Sequence, residues 1–273
     1  MNAEILGDRD VRTYSVDTKV LEDRGVRTYS GDIKVLEDRG VRTYSGDTKA
    51  LEDRGVKVYF MDTKILEDDG RFFKYYGMLS ETRQNKTDAY LFRKDKNLSL
   101  GAGMLLDQGL SEYGLKENSV LIQYRENGKP WLPQHPQIHF NLSHSEHMTL
   151  AAFAETEVGC DIERVQQADL ALAEKFFCPG EYKYAAEKTG KARDMAFYRL
   201  WTLKESFAKA TGLGLQLPLN EFEVSFCPNG EPAVRQNADT AEYEFREYRF
   251  GEYLAAVCLK KDNEKFNKVK KAP

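Results

Sequence analysis

The sequence predicts an α+β fold built from two similar halves. A strand-like run, a helical stretch and further strand-like runs follow one another, and the same order then occurs a second time. Helical periodicity marks residues 98–113 and 195–210. Apolar or alternating runs typical of strands are 56–61, 119–125, 148–154, 159–165, 221–226 and 253–259. We therefore expect the two halves to meet near residue 155.

The first quarter of the chain is repetitive, with a 15-residue period. Four copies share this period, the middle two closely and the outer two loosely: 9–23, 24–38, 39–53 and 54–68. Only the last copy carries a strand-grade apolar run, Val56 to Met61, because Val-Tyr-Phe-Met replaces the Thr-Tyr-Ser-Gly of the middle copies. The earlier copies have too few apolar residues to build a core, so we expect them to be poorly ordered. An interaction module built from the repeats is the alternative.

These patterns divide the chain into four segments. They are a repetitive extension, a first α+β lobe, a second α+β lobe and a charged tail, at residues 1–55, 56–155, 156–262 and 263–273.

Composition excludes several classes of protein. The chain has 273 residues, of which 41 % are hydrophobic and 31 % charged, as in a globular protein that does not enter a membrane. No apolar run approaches the ~20 residues that span a bilayer. The start, MNAEILGDRD, lacks the basic and apolar regions of a secretory signal, which favours a cytoplasmic location. The net charge of −4 argues against binding to nucleic acid.

Cysteine usage agrees with that location. The four cysteines have no CxxC spacing, so neither a zinc site nor a disulfide framework is indicated: Cys160, Cys178, Cys227 and Cys258. We expect them to be reduced and buried.

The stretch GCDIERV, residues 159–165, places two carboxylates side by side. Side chains alternate along a strand, so Cys160 and Ile162 would face the core while Asp161 and Glu163 project together from the opposite side. Like charges in this arrangement repel unless water, a basic neighbour or a cation relieves them. The pair predicts either a solvated strand face or a cation site.

Three further segments carry residues that could take part in chemistry. They are GKP at 128–130, FNLSHS at 140–145 and WTLKESFAK at 201–209. In the last, Glu205 and Lys209 are four residues apart and share a helix face. By itself this spacing is also typical of an ordinary surface ion pair.

Taken together, the four segments resemble the carrier-protein-activating 4′-phosphopantetheinyl transferases, in particular the surfactin-synthetase-activating (Sfp-like) branch. The resemblance extends from about Val56 to about Leu259, and both G-x-D-x-E and W-T-x-K-E are complete. It implies a pair of α+β lobes related by a pseudo-twofold axis, with coenzyme A between them. It also implies transfer of the phosphopantetheine arm of coenzyme A to a serine of an acyl or peptidyl carrier protein, with release of adenosine 3′,5′-bisphosphate.

The resemblance also implies roles for the second-lobe residues. Asp161, Glu163 and Glu205 would hold Mg²⁺ against the pyrophosphate, a hard cation suited to oxygen ligands. Glu205 would also help to deprotonate the incoming serine. Lys209 would offset charge on the departing bisphosphate, and Lys204 would be a structural or phosphate-proximal cation.

The coenzyme A contacts implied by the resemblance lie mostly in the first lobe. Ser143 and His144 would contact phosphate, and Lys129 would lie at the nucleotide end. Arg83 and Lys86 fall where the family places basic residues toward the 3′-phosphate, with Arg83 in place of a common lysine. Ser99 would contact the nucleotide, and further positive charge comes from Arg93, Lys94 and Lys96.

Two other functions use the same residues. A Mg²⁺-dependent hydrolase of a nucleotide pyrophosphate, such as coenzyme A itself, would need the same carboxylates and basic groups. An inactive coenzyme A-binding protein, or a scaffold that works through its repeats, belongs to a different class. The intact acidic set together with Lys209 favours an enzyme, which we expect to act as a monomer.

Overall fold

The first lobe is a four-stranded antiparallel sheet covered by three helices. The structure is a computed structural model, and it describes residues 42–44 and 56–261. Its strands have the order β1-β2-β6-β5. They are β1 (Arg42–Tyr44), β2 (Lys57–Asp62), β5 (His139–Ser145) and β6 (Met148–Ala154), and a two-stranded hairpin is formed by β3 (Gln123–Tyr124) and β4 (Pro130–Trp131). The helices are α1 (Asp69–Tyr76), α2 (Glu81–Asp88) and α3 (Arg93–Ser111).

The second lobe places a three-stranded antiparallel sheet under a long helix. Its strand order is β10-β11-β7. The strands are β7 (Val158–Arg164), β10 (Tyr243–Phe250) and β11 (Tyr253–Lys260), with a separate hairpin of β8 (Glu223–Phe226) and β9 (Pro232–Arg235). The helices are α4 (Leu170–Phe176), α5 (Pro179–Ala186) and α6 (Gly190–Thr211).

The two lobes repeat one topology. In each, the first long strand pairs with the last, and the last pairs with the strand before it, giving the orders β2-β6-β5 and β7-β11-β10. In each, a helix of about twenty residues covers one face of the sheet: α3 packs on β6 and β2, and α6 packs on β7 and β11. The predicted α+β fold of two similar halves is confirmed.

Helix α6 ends where the sequence permits a left-handed residue. Gly212 follows the helix with φ of +72°, a conformation that glycine adopts without the steric cost that a Cβ imposes. Gly159, in β7, lets the backbone of α6 approach the strand closely, since a Cβ at this position would collide with the carbonyl of Ser206 and the amide of Ala210. The helix therefore lies directly over the strand that carries Asp161 and Glu163.

The faces of the two sheets that lack a helix pack against each other. Val58 and Phe60 of β2 contact the apolar residues of the second sheet, among them Cys160, Ile162 and Val257. Burial of this apolar surface joins the lobes. It also turns Asp161 and Glu163 toward α6, since alternate residues of a strand face opposite sides. The predicted inward direction of Cys160 and Ile162 is correct.

Two sequence predictions differ from the structure. Residues 119–125 were expected to form one strand, but only Gln123–Tyr124 is extended in a sheet, since the preceding Glu117–Ser119 forms a 3₁₀ turn whose Glu117 side chain accepts hydrogen bonds from Ser80. The apolar residues Val120 and Ile122 pack against the first-lobe core without strand pairing. Among the cysteines, Cys160 and Cys258 are buried, but Cys178 is half-buried and Cys227 is exposed; all four are free thiols.

One short strand belongs to the repetitive extension. Arg42–Tyr44 of the third copy pairs antiparallel with β2, with Thr43 opposite Tyr59. The remaining extension, for which the sequence predicts poor order, and the charged tail lie outside the described residues. Within the described part of the chain, no helix combines the length and the apolar character that a membrane crossing requires.

Candidate active site

The site lies where two edge strands from different lobes meet. Strand β5 is an edge strand of the first sheet, and β7 is an edge strand of the second. Side chains of β5 bridge them: Asn141 Oδ1 accepts a hydrogen bond from Cys160 N at 2.9 Å, and Ser143 Oγ donates to Asp161 Oδ1 at 2.9 Å. Ser145 Oγ donates to Glu163 Oε2 at 2.6 Å. Three alternate residues of β5 therefore hold both carboxylates of β7 and the backbone of Cys160.

Asp161 is the buried centre of this arrangement. The side chain is 4 % exposed, and its Oδ1 accepts hydrogen bonds from Ser143 Oγ and, at 2.6 Å, from Lys209 Nζ. Its Oδ2 is buried and has no hydrogen-bond partner. An unpaired buried carboxylate oxygen is costly, so this atom is oriented for a ligand that the protein itself does not supply.

The other two carboxylates are held in surroundings that disfavour their charge. Burial and the neighbouring Asp161 raise the pKa of Glu163 to about 7, partly opposed by the hydrogen bond from Ser145. Burial also raises the pKa of Glu205, on the facing helix, and Asp161 adds to the effect against the lowering influence of Lys209. Asp161 therefore raises the pKa of both Glu163 and Glu205, and a cation would relieve this repulsion.

Lys209 supplies the positive charge of the site. Its ammonium group donates to three acceptors: Asp161 Oδ1, Cys160 O at 3.2 Å and Ser143 Oγ at 3.3 Å. Burial alone would lower the pKa of Lys209, but the charge and hydrogen bond of Asp161, together with Cys160 and Glu205, outweigh this and raise it, so the side chain is protonated at neutral pH.

His144 lies on β5 next to the residues that hold Asp161 and Glu163. Its side chain points to solvent between Ser143 and Ser145. Desolvation is the main cause that lowers the pKa of His144; the positive charges of Lys209 and Lys86 add to it, while Asp161 and Asp95 oppose it. Lys86, on α2, acts electrostatically on His144; its contact with the 3′-phosphate stays a prediction.

Three of the predicted coenzyme A contacts are engaged elsewhere. Arg83 is buried, with its Nε 3.7 Å from Glu117 Oε1, and the Ser99 hydroxyl shares a hydrogen bond of 2.9 Å with that of Thr87. The Lys129 ammonium group donates to Glu157 Oε2 at 2.7 Å and to Ala210 O at 3.2 Å. The structure does not bring these side chains into the cluster around Asp161.

Lys204 has a structural environment. Its fully buried ammonium group donates to both oxygens of Glu181, at 2.6 and 2.7 Å, and to Phe222 O at 2.8 Å. Glu181 also accepts from the amides of Cys178 and Val224. This network ties α6 to α5 and β8, away from the carboxylates, in line with the structural alternative considered for Lys204.

The residues fit a divalent cation bound jointly with a substrate. Within residues 42–44 and 56–261, no three His, Cys, Asp or Glu side chains are grouped closely enough to hold a metal by themselves. Mg²⁺ does not need such a cage, because it keeps several waters and takes substrate phosphate oxygens as ligands beside the protein carboxylates. The unpaired Oδ2 of Asp161 is a hard oxygen donor of that kind.

Sequence reasoning missed Asn141, Ser145 and Glu157. A signal for the first two was present, since Asn141, Ser143 and Ser145 have the alternation that puts side chains on one face of a strand. Glu157 offered none: its partners Arg125, Lys129 and His139 come from a separate loop and strand, and only the fold brings them together.

Part of the chain matches known proteins. Residues 157–258, which contain the β7 carboxylates and all of α6, match the 4′-phosphopantetheinyl transferase superfamily. A solved structure of a holo-(acyl-carrier-protein) synthase from Bacillus anthracis, in complex with CoA (3′,5′-ADP), is similar over 39 % of this chain and 97 % of that one, with a TM-score of 0.35 and 19 % identity.

Relatives that match about two thirds of the chain show its family. The chain is 33 % identical over 182 residues to the 4′-phosphopantetheinyl transferase ffp of Bacillus subtilis, covering 66 % of this chain and 81 % of the relative. It is 30 % identical over 187 residues to the 4′-phosphopantetheinyl transferase Sfp of Bacillus subtilis strain 168, covering 68 % and 84 %. The chain belongs to the Sfp-type 4′-phosphopantetheinyl transferases. It is a transferase that moves the phosphopantetheine group of coenzyme A to a carrier protein.

Proposed function

We propose that this transfer is a Mg²⁺-dependent attack by the carrier serine on the pyrophosphate of coenzyme A at the seam between β5, β7 and α6. The observation that supports this most directly is Asp161, whose Oδ1 is held by Ser143 and Lys209 while Oδ2 is buried without a partner. The serine oxygen forms a bond to the phosphorus next to the pantetheine arm. The bond from that phosphorus to the bridging oxygen breaks, and adenosine 3′,5′-bisphosphate leaves.

Asp161, Glu163 and Glu205 are the residues that would hold the metal. When bound, Mg²⁺ supplies positive charge to the pyrophosphate oxygens during the displacement. The protein prepares for it by holding carboxylates with Ser143 and Ser145, so that oxygen donors are present before the substrate arrives.

Glu205 is the proposed acceptor of the serine proton. Burial raises the pKa of this carboxyl group, and a base whose pKa lies nearer neutrality transfers protons more effectively at the pH of the cell. Glu205 lies on α6, opposite β7, and faces Asp161 and Glu163. It takes no part in the hydrogen bonds between β5 and β7. The serine proton is thus removed as the new phosphorus–oxygen bond forms.

Lys209, His144 and Lys86 are proposed to stabilise the phosphates. Lys209 is protonated and lies beside Asp161, so its charge is fixed where negative charge develops on the leaving bisphosphate. Lys86 and Lys209 both act electrostatically on His144, so the three side chains are proposed to contact the phosphates together. Roles for Arg83, Ser99 and Lys129 in nucleotide binding also belong to the proposal, although the Lys129 ammonium group is paired with Glu157.

The carrier is an acyl or peptidyl carrier protein with a reactive serine, and the enzyme is proposed to act as a monomer in the cytoplasm. The test is to supply the full chain with an apo carrier protein, coenzyme A and Mg²⁺, and to measure by mass spectrometry whether the serine gains phosphopantetheine. Asp161→Asn, which keeps the side-chain size, should abolish transfer. Release of free phosphopantetheine without carrier modification would instead identify a coenzyme A hydrolase.

A further inference from the structure

Ser145 has a hydrogen-bond arrangement suited to holding a neighbouring carboxylate in place. Its hydroxyl donates to Glu163 Oε2 at 2.6 Å and accepts from the backbone amide of Arg164 at 3.2 Å. The donor and one acceptor position of the oxygen are therefore both used, which fixes the direction of the O–H bond. Ser145, in the first lobe, therefore bonds both the Glu163 carboxylate and the backbone of the next residue of β7, in the second lobe.

The backbone that carries Ser145 is itself constrained. Ser145 ends β5 and precedes the two-residue turn Glu146–His147 that leads into β6. Glu146 has φ of +53°, which a residue with a Cβ adopts rarely, and Lys94 Nζ of α3 contacts its Oε2 at 2.7 Å. Unusual backbone angles persist where surrounding contacts hold them, and they are concentrated near functional sites. The position of Ser145 is thus set by the turn on one side and by sheet pairing on the other.

We propose that Ser145 is a positioning residue that orients Glu163 as a metal ligand, an inference that rests on the proposed Mg²⁺ site. Glu163 has a flexible side chain, and the negative charge of Asp161, two residues away on the same strand face, repels it. Without the hydroxyl group, the carboxylate would rotate away from Asp161. With it, both carboxylates remain side by side, which is the arrangement that one cation needs from two ligands.

Ser143 and Ser145 have different partners, which makes the inference testable. Ser143 contacts both Asp161 and Lys209, so its removal would disturb the metal ligand and the phosphate-binding lysine together. Ser145 contacts Glu163 and the Arg164 amide and is not bonded to Lys209. Loss of Ser145 should therefore weaken metal binding with little change in the step that Lys209 stabilises.

The experiment compares Ser145→Ala and Ser145→Thr in the full chain. Mn²⁺ serves as a spectroscopic substitute for Mg²⁺, and its free concentration is followed by electron paramagnetic resonance in the presence of coenzyme A. Ser145→Ala should weaken Mn²⁺ binding by about 10-fold to 100-fold, the usual effect of removing a group that orients a metal ligand. The Mg²⁺ concentration for half-maximal transfer should rise similarly, while kcat at saturating Mg²⁺ stays within about threefold of the parent. Ser145→Thr keeps the hydroxyl group and should bind Mn²⁺ like the parent.

Two variants calibrate the result. Ser225→Ala changes an exposed serine of β8 in the same way and should leave Mn²⁺ binding unchanged. Asp161→Asn should remove it. If Ser145→Ala does not fold, Ser145→Cys, which has similar size and only a weak S–H donor, takes its place in the same titration.

The outcomes separate this inference from the proposed function. Parental Mn²⁺ affinity in Ser145→Ala, with Asp161→Asn inactive in binding, would overturn the role of Ser145 and leave the metal site intact. A fall in kcat at unchanged Mn²⁺ affinity would also overturn it. Absence of Mn²⁺ binding in the parent would overturn the metal proposal, and the role of Ser145 with it.

Discussion

Lys209 Nζ lies 2.6 Å from Asp161 Oδ1, so the last turn of α6 is joined directly to the middle of β7. The i, i+4 spacing of Glu205 and Lys209 is also typical of a surface ion pair, but the structure gives Lys209 a partner on another element. The ammonium group is held by Asp161, Ser143 and the Cys160 carbonyl in a partly buried position. Its direction is thus set before any substrate binds, as electrostatic preorganisation requires.

The first prediction concerns the function of that ammonium group. Lys209→Ala should lower kcat by on the order of 10²-fold with little change in the KM for coenzyme A, because charge on the leaving phosphate develops mainly in the transition state. Steady-state kinetics with a carrier protein measure both parameters. Lys191→Ala, an exposed lysine near the start of the same helix, is the matched control and should behave as the parent. An increase in KM alone would withdraw the catalytic role.

The second prediction concerns Glu205. Glu205→Gln keeps the shape of the side chain but removes both a base and a metal charge, so it should lower kcat by about 10² to 10⁴-fold at every pH tested. Added Mg²⁺ should restore coenzyme A binding, measured by calorimetry, more fully than turnover. Glu187→Gln, an exposed change just after α5, controls for loss of a negative charge. Full recovery of turnover at high Mg²⁺ would contradict the role of Glu205 as a base.

Most of the fold could be predicted from local patterns, whereas part of the site could not. The alternation in GCDIERV and the periodicity of residues 195–210 are local, and both elements form where the sequence indicates. The tyrosine- and arginine-rich strand Tyr243–Phe250 was missed because its polar residues interrupt the apolar pattern, although Tyr243 and Phe245 are buried under α6.

The site residues differ in the same way. Asp161, Glu163, Glu205 and Lys209 could be named because each belongs to a recognisable short segment. The partners of Arg83 and Lys129 could not, since Glu117 and Glu157 are brought to them only by the tertiary fold. A basic residue in the expected place thus gives no information about whether a carboxylate of the same chain already neutralises it.

The third prediction concerns how the ion pairs of Glu157 make the stability of the fold depend on pH. Glu157 contacts Lys129 at 2.7 Å, Arg125 at 2.8 Å and His139 at 3.5 Å. Burial alone would raise the pKa of Glu157, but these partners lower it well below its ordinary value of 4.5. A carboxylate with a lowered pKa in the folded state stabilises the fold above its unfolded pKa, and this contribution is lost as the pH falls.

Glu157→Gln should therefore lower the free energy of unfolding by about 2 to 4 kcal/mol at pH 7, because it leaves the buried Lys129 without a counter-charge. The difference from the parent should shrink as the pH falls below about 4.5, where the unfolded carboxyl group is protonated. Urea unfolding at several pH values measures this. Glu126→Gln, an exposed change in the nearby turn, should show no such dependence. A difference that stayed constant down to pH 3 would show that the charge of Glu157 is unimportant.

The last prediction concerns the repetitive extension. Its described part, Arg42–Tyr44, adds a three-residue edge strand to β2, while the core residues Tyr59 and Met61 of β2 remain paired with β6 on the other side. Removing so short an edge strand exposes few backbone groups, so deletion of residues 1–53 should leave kcat unchanged and lower the melting temperature by only a few degrees. Deletion of residues 1–38, which keeps the strand, is the matched control and should melt like the parent. If the deletion of residues 1–38 also lost activity toward the carrier protein, the first two repeats would belong to the working enzyme. If only the deletion of residues 1–53 failed to fold, the pairing of Thr43 with Tyr59 would be essential to the first sheet.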